Sequence, residues 1–354
     1  MLNEVCSRLI DNLPNRIINN TDKSPIEIDL ILSGGGFAGS YCGGVLMYLK
    51  EMERRNYIKV RRISGCSIGS FLGLLYFADS LNFIYDNYDI IFESFKTNQN
   101  LSVIKSFESM LKDKIPKDIC KIVKNRLFIC YNHVNKRKKY VRCKYKNTEQ
   151  LFDTITKSCF LPYLIDGNMT YKGKYIDGFT PYFFKNTNPT KHLNKNRENN
   201  NTESSNFIDY VYKVFHLNTV VTNIDNLENI NNISISNTTD NPTGQPNISN
   251  ISNISNNKRT TLFINVLTYK KLKDKFKIEN EKTNLHRILE GILEINTFFI
   301  EETDTDICIT VKNNFNININ YLFHYFFIYL IEVITIYKIY LLLLLQNNSL
   351  YQIV

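Results

Sequence analysis

No two cysteines of the chain form a C-x-x-C pair, and no Cys/His cluster has the spacing of a zinc site. Disulfide scaffolds and zinc modules are therefore excluded as readings. The eight thiols, at positions 6, 42, 66, 120, 130, 143, 159 and 308, read as reduced and mostly buried. The amino terminus lacks the apolar run of a secretory signal, because Glu4 and Arg8 interrupt it. The folded part is expected to remain in a reducing compartment on the cytoplasmic side, not secreted. The many Asn-x-Ser/Thr triplets then have no glycosylation role. No repeat carries a solenoid period. Histidine is scarce, with five in 354 residues.

What is present suits a globular protein. The apolar fraction is 43%, enough for a sizeable core at this length. The net charge of +9 has two concentrations, Lys136-Arg137-Lys138-Lys139 and the lysines at 270, 271, 273, 275 and 277. Both read as solvated loop tips or strand edges, with attraction to an anionic surface as the alternative.

Ile26–Leu32 reads as a first strand, alternating and then continuously apolar as in a strand buried on both faces. It runs into Ser33-Gly34-Gly35-Gly36-Phe37-Ala38-Gly39, and Ser40–Met52 follows with the apolar spacing of a helix. Tyr57–Ile63 reads as the next strand, and Ser70–Phe77 as a buried helix. Strand, glycine loop, helix, strand, turn, helix is the pattern of a parallel α/β sheet with right-handed crossovers. Residues 79–124 read as mostly helical, Arg126–Tyr131 and Lys139–Tyr145 as a hairpin around the basic turn, and Asn147–Ser158 as a helix. Met169–Gly178 reads as a short hairpin ending in Asp-Gly. Beyond Lys185 the composition shifts to asparagine, serine and threonine, and residues 186–206 and 223–257 read as a low-complexity insertion and a disordered loop. Tyr210–Leu217 and Leu262–Leu267 read as later strands, and Thr283–Ile300 as a long amphipathic helix.

The turn between the second strand and its helix is Gly65-Cys66-Ser67-Ile68-Gly69, a G-x-S-x-G. In that pattern a serine sits on a tight strand-to-helix turn with its hydroxyl lifted clear of the sheet. The glycine loop also satisfies G-x-G-x-x-G, so dinucleotide binding must be weighed. Such a unit needs an acid at the end of the following strand to hold ribose hydroxyls, and Ser64-Gly65-Cys66-Ser67 occupies that place. Beside a nucleophilic serine, the backbone N–H groups of Gly34, Gly35 and Gly36 suit an oxyanion instead. The serine needs a base, and no histidine is well placed: His192 lies in low complexity, His216 in an apolar strand, His286 at a helix start, His324 in the hydrophobic tail, and His133 beside the basic turn. An aspartate within hydrogen-bond reach can serve directly.

With glycine loop, elbow and Asp-Gly in this order, residues 26 to about 185 resemble the patatin-like phospholipases. The resemblance implies a three-layer α/β/α fold with a largely parallel central sheet, and a Ser-Asp dyad of Ser67 and Asp177. It further implies an oxyanion hole at Gly34, Gly35 and Gly36, with Gly39, Gly65, Gly69 and Gly178 supporting the motifs. Asp166-Gly167 competes with Asp177-Gly178; the earlier pair matches a turn that follows Leu161-Pro162 in the family pattern, and Asp177 is preferred. Ala38, Ile68 and Phe179 depart from the pattern, the last two by being bulkier than its Ala or Gly. The implied activity is hydrolysis of lipid carboxylic esters, phospholipid or acylglycerol. A catalytically inactive lipid-binding or scaffold protein on the same fold is the alternative. The implied partners are a lipid ester and a membrane or lipid surface, with no nucleic acid, cofactor or metal.

The expected organisation is an extension at 1–25, the catalytic core at 26–185, an insertion at 186–206, the remainder of the α/β domain at 207–312 including the loop at 223–257, and a hydrophobic segment at 321–345. That last stretch is long enough to span a bilayer, although Glu332 and Lys338 also suit a helix lying in the interface or packed on the domain.

Overall fold

The computed structural model describes residues 1–14, 24–98, 102, 106–111, 113–184, 218–221, 260–267 and 284–311. Strand β1 is Ile26–Leu32, the bounds its apolar run predicts. Leu30 and Leu32 enter the core on one face and Ile31 on the other, so the strand shows little polar alternation. A short 3-10 turn, Gly36–Ala38, leads to a helix at Gly39–Arg54, followed by β2 at Ile58–Cys66 and a helix at Ile68–Phe77. These helices are α2 and α3. Preceding them is α1, Leu2–Asp11, whose Leu2, Cys6 and Ile10 are buried in the main core. The expected extension at 1–25 thus supplies a packed helix.

Three helices follow: α4 (Asn82–Asn98), α5 (Phe107–Leu111) and α6 (Ile119–Ile122). The hairpin is β3 (Leu127–His133) with β4 (Lys138–Arg142), antiparallel. Helix α7, Thr148–Ser158, begins where Asn147 Oδ1 accepts the Gln150 N–H at 2.9 Å. Such a cap is worth about 1 kcal/mol. The remaining elements are β5 (Tyr175–Asp177), β6 (Asn218–Val221), β7 (Thr260–Ile264), α8 (Asn284–Glu301) and β8 (Cys308–Val311).

The described strands form one eight-stranded sheet in the order β6-β4-β3-β2-β1-β7-β8, with β5 also on β3. Its centre, β3-β2-β1-β7, is parallel. One face carries the main core against α1, α2, α3, α7 and α8. Helices α2 and α8 cross at glycines: a Cβ on Gly44 would lie 2.0 Å from the Ile288 carbonyl oxygen, and one on Gly291 2.0 Å from that of Tyr41. Only hydrogen at both points lets the backbones touch.

The opposite face is covered by an aromatic strap, Tyr182, Phe183 and Phe184, with Phe128 stacked on Tyr182 and edge-on to Phe184. The second helical layer of the expected three is not among the described residues. Two local readings change. The Met169–Gly178 hairpin is reduced to a single bridge between Tyr171 and Tyr175, because β5 pairs with β3 instead. Lys139, read as part of a solvated tip, is 3% exposed, while Lys136 and Arg137 are exposed as expected. The strand expected at Tyr210–Leu217, the stretches 186–206 and 223–257, and the segment 321–345 lie outside the described residues. No helix among the described residues is long and apolar enough to cross a membrane.

Candidate functional site

Strand β2 ends at Cys66, and Ser67 turns the chain at φ 51° and ψ −135° before α3 starts at Ile68. A left-handed residue with a Cβ costs roughly 1–2 kcal/mol, and such strain persists where the surroundings enforce it. Here Gly65 and Gly69 enforce it. A Cβ on Gly65 would sit 2.5 Å from the Gly69 carbonyl, and one on Gly69 2.6 Å from the Ser33 carbonyl oxygen. The elbow therefore closes on itself and on the end of β1. Gly39, the last glycine of the loop motif, makes room for Ile68, whose Cγ1 would be 2.5 Å from an added Cβ. The bulk noted at position 68 is accommodated there.

The glycine loop lies against the serine. An added Cβ on Gly34 would be 3.1 Å from Ser67 Cβ, Gly35 has φ 147°, and Gly36 has φ 51° with open space where a Cβ would go. The Gly34 amide also faces the Cys66 thiol. Burial chiefly, and then the Asp177 carboxylate, push that thiol well above the usual range, while Lys139 and the Gly34 amide pull the other way. Cys66 is thus a neutral thiol, which leaves Ser67 as the nucleophile candidate at the turn.

Asp177 arrives by register. Cys66 pairs with Cys130 on β3, and the next residue of β3, Tyr131, pairs with Asp177 of β5. Where β2 leaves the sheet after Cys66, β5 pairs with β3 from the opposite direction, so Cys66 and Asp177 stand one pairing step apart along β3 and Ser67 follows Cys66 at that point. A strand rises about 3.3 Å per residue, the scale on which side chains from such neighbours meet. The end of α7 ties the two together. Ser158 Oγ accepts the Ser67 N–H at 3.0 Å and donates to the Cys130 carbonyl at 2.6 Å, while the Phe160 carbonyl accepts the Asp177 N–H at 2.9 Å.

Asp177 is 1% exposed. Its Oδ1 accepts the Phe179 N–H at 2.7 Å, which orients the carboxylate, and Asn132 Nδ2 donates to its carbonyl at 2.8 Å. Gly178 is required by contact, since a Cβ would lie 2.2 Å from the Cys130 carbonyl oxygen. Phe179 takes φ 59°, a glycine-type conformation held by phenylalanine. Asp166 behaves differently. It is half-buried, and its Oδ1 accepts the Asn168 N–H at 3.0 Å as in an ordinary Asx turn.

The described histidines do not join the site. His133 packs edge-on to Tyr175, and burial first, then Lys136 and Lys174, hold its pKa below the ordinary value; His286 is exposed on α8. His192, His216 and His324 lie outside the described residues. Ser158, Asn132, Lys139 and the Phe160 carbonyl were not singled out from sequence. Lys139 was read only as part of the basic tip and the others lie in no motif, so only their placement in one structural neighbourhood distinguishes them.

Comparison with protein families agrees with this arrangement. A model described as patatin-like phospholipase matches residues 30–194, a span that includes the glycine loop, Ser67 and Asp177. Residues 30–194 are thus similar to a patatin-like phospholipase domain. The chain's mixed α/β architecture with a mostly parallel central sheet is that of the patatin-like fold. Neither a curated protein nor a solved structure matches the chain. The matched span stops before β6, so β6, β7, α8 and β8 complete the sheet and its main core from outside the match.

Proposed function

We propose that the protein is a lipid acyl hydrolase that cleaves carboxylic esters through Ser67 and Asp177. The observation that supports this reading is the register of β2 and β5 on β3: Asp177, buried and oriented by the Phe179 N–H, pairs one step beyond Cys66, the residue before the strained Ser67. In the first half-reaction Asp177 takes the Ser67 hydroxyl proton as Oγ bonds to the ester carbonyl carbon. The tetrahedral oxyanion is held by backbone N–H groups of the loop; with the Gly34 amide facing Cys66, those of Gly35 and Gly36 are the donors. The amino terminus of α3 adds a favourable field for the developing charge. The oxyanion collapses, the C–O bond to the alcohol breaks, and the alcohol leaves with the proton from Asp177. Asp177 then takes a proton from water as that water attacks the acyl-enzyme, and returns it to Ser67 Oγ as the fatty acid leaves.

Ser67→Ala and Asp177→Asn are expected to abolish turnover of phospholipid, lysophospholipid and triacylglycerol substrates, with Asp166→Asn retaining most of it. A fluorophosphonate probe is expected to label Ser67. Wild-type protein that neither labels nor turns over any of these substrates would leave the lipid-binding alternative in place. On the same reading, Tyr321–Leu345 anchors the enzyme to a membrane. Truncation after Asn320 is then expected to move the protein from the membrane pellet to the supernatant with Ser67 still reactive.

A further inference from the structure

Lys139 stands out among the described residues as a buried lysine on the sheet face away from the helices. It shares that face with Val141 and lies directly opposite Asn132 across the β3–β4 pair. Its Nζ donates to the Thr180 carbonyl at 2.5 Å and also to the Thr180 hydroxyl. Asn132, its cross-strand neighbour, donates to the Asp177 carbonyl at 2.8 Å. The two side chains therefore grip opposite ends of one turn, Asp177-Gly178-Phe179-Thr180. That turn holds the oriented carboxylate and a phenylalanine at positive φ, so left to itself it is strained. It is followed at once by the strap, whose Tyr182 N–H donates to Ser64 Oγ at 2.9 Å.

We propose that Lys139 is a positioning residue for the reaction at Ser67: its ammonium fixes the Asp177–Thr180 turn through the carbonyl and hydroxyl of Thr180. A solvated lysine at a hairpin tip has no reason to be buried. Removing an ammonium from water is costly unless hydrogen bonds and nearby negative charge compensate. Thr180 supplies the hydrogen bonds. Asp177, three residues before Thr180 on the same turn, carries the formal negative charge of that turn. The consequence falls on the chemical step. Asp177 must present one oxygen to Ser67, and a misplacement of about 1 Å at such a contact costs on the order of 100-fold in rate.

This proposal rests on the Ser67–Asp177 reading, and the experiment keeps the two apart. Full-length wild type, Lys139→Met, Thr180→Val and Asp177→Asn are compared for kcat, KM and thermal midpoint on one lipid ester. Methionine keeps the length and bulk of lysine without donors or charge. For Lys139→Met the expected result is a thermal midpoint at or above wild type, an unchanged KM, and a kcat lower by on the order of 100-fold. For Thr180→Val, which removes one of the two acceptors, a smaller loss is expected, again in kcat. Wild-type kcat in Lys139→Met, a loss confined to KM, or a loss that follows a lowered midpoint overturns the proposal. Should Lys139→Met fail to fold, Thr180→Val decides: a kcat loss at unchanged KM supports it and wild-type kinetics overturn it. An active Asp177→Asn would instead overturn the dyad itself.

Discussion

Two sharp turns meet at the site, and they are built differently. The Ser67 elbow and the Asp177 turn flank neighbouring positions of β3, and each holds a residue with a Cβ at positive φ, Ser67 at 51° and Phe179 at 59°. The elbow is stabilised by its own glycines: Gly65 and Gly69 close on one another and on β1 within five consecutive residues. The acid turn has one glycine at close contact, Gly178, and takes the rest of its support from Asn132, Lys139 and the Phe160 carbonyl, all distant in sequence. A turn coded locally tolerates change around it. One assembled from other elements depends on each of them.

The largest effects should come where backbone meets backbone. Gly65→Ala puts a methyl 2.5 Å from the Gly69 carbonyl and Gly178→Ala one 2.2 Å from the Cys130 oxygen. Each is expected to destabilise by about 3 kcal/mol in urea unfolding and to remove turnover. If Gly65→Ala were harmless, the elbow would not be the self-closing unit described.

Ser158→Ala tests the link between the elbow and β3. It removes the donor to the Cys130 carbonyl and one of two acceptors of the Ser67 N–H, which keeps the Ser158 carbonyl at 3.1 Å, at an expected cost of about 1 kcal/mol by denaturant titration. Turnover should fall with it, since the elbow and β3 lose a common fastening.

Within the glycine loop the two ends should separate. Gly34→Ala crowds Ser67 Cβ at 3.1 Å and is expected to lower kcat by on the order of 100-fold. Gly36→Ala adds a Cβ that meets nothing within 4 Å. Its cost reduces to the left-handed φ of 51°, about 1 kcal/mol of stability. Steady-state kinetics with thermal melts rank the pair.

Phe179→Gly should change least. Relief of the left-handed strain, about 1 kcal/mol, is offset by the extra freedom glycine gives the unfolded chain, so stability should stay within about 0.5 kcal/mol of wild type. A large loss would mean that the Phe179 ring, and not the backbone, holds the acid turn.

Much of the fold was legible because local pattern and tertiary placement agree there. The apolar run of β1, the Asn147 cap of α7 and the period of α8 each name their element, since burial imposes the periodicity that sequence records. Ser67 was legible for the same reason: its constraints lie two residues to either side. Reading failed where a residue's environment comes from elsewhere. Lys139 belongs by composition to a basic tip, and only pairing of β4 with β3 turns it inward; β5 looks like half of a local hairpin, yet its partner is β3.

The sequence by itself determined the class of sheet and the elbow, because those depend on short-range sterics and hydrophobic period; its motif order supplied the proposal of Asp177 over Asp166 as the acid. Tertiary structure alone decided that the Asp177 turn stands one register step from Cys66 at the end of β2, that Ser158 fastens the elbow to β3, and that a lysine is buried against Thr180. The physical reason is that strand pairing joins residues by register across long loops. No spacing along the chain encodes which carbonyl a distant N–H will meet.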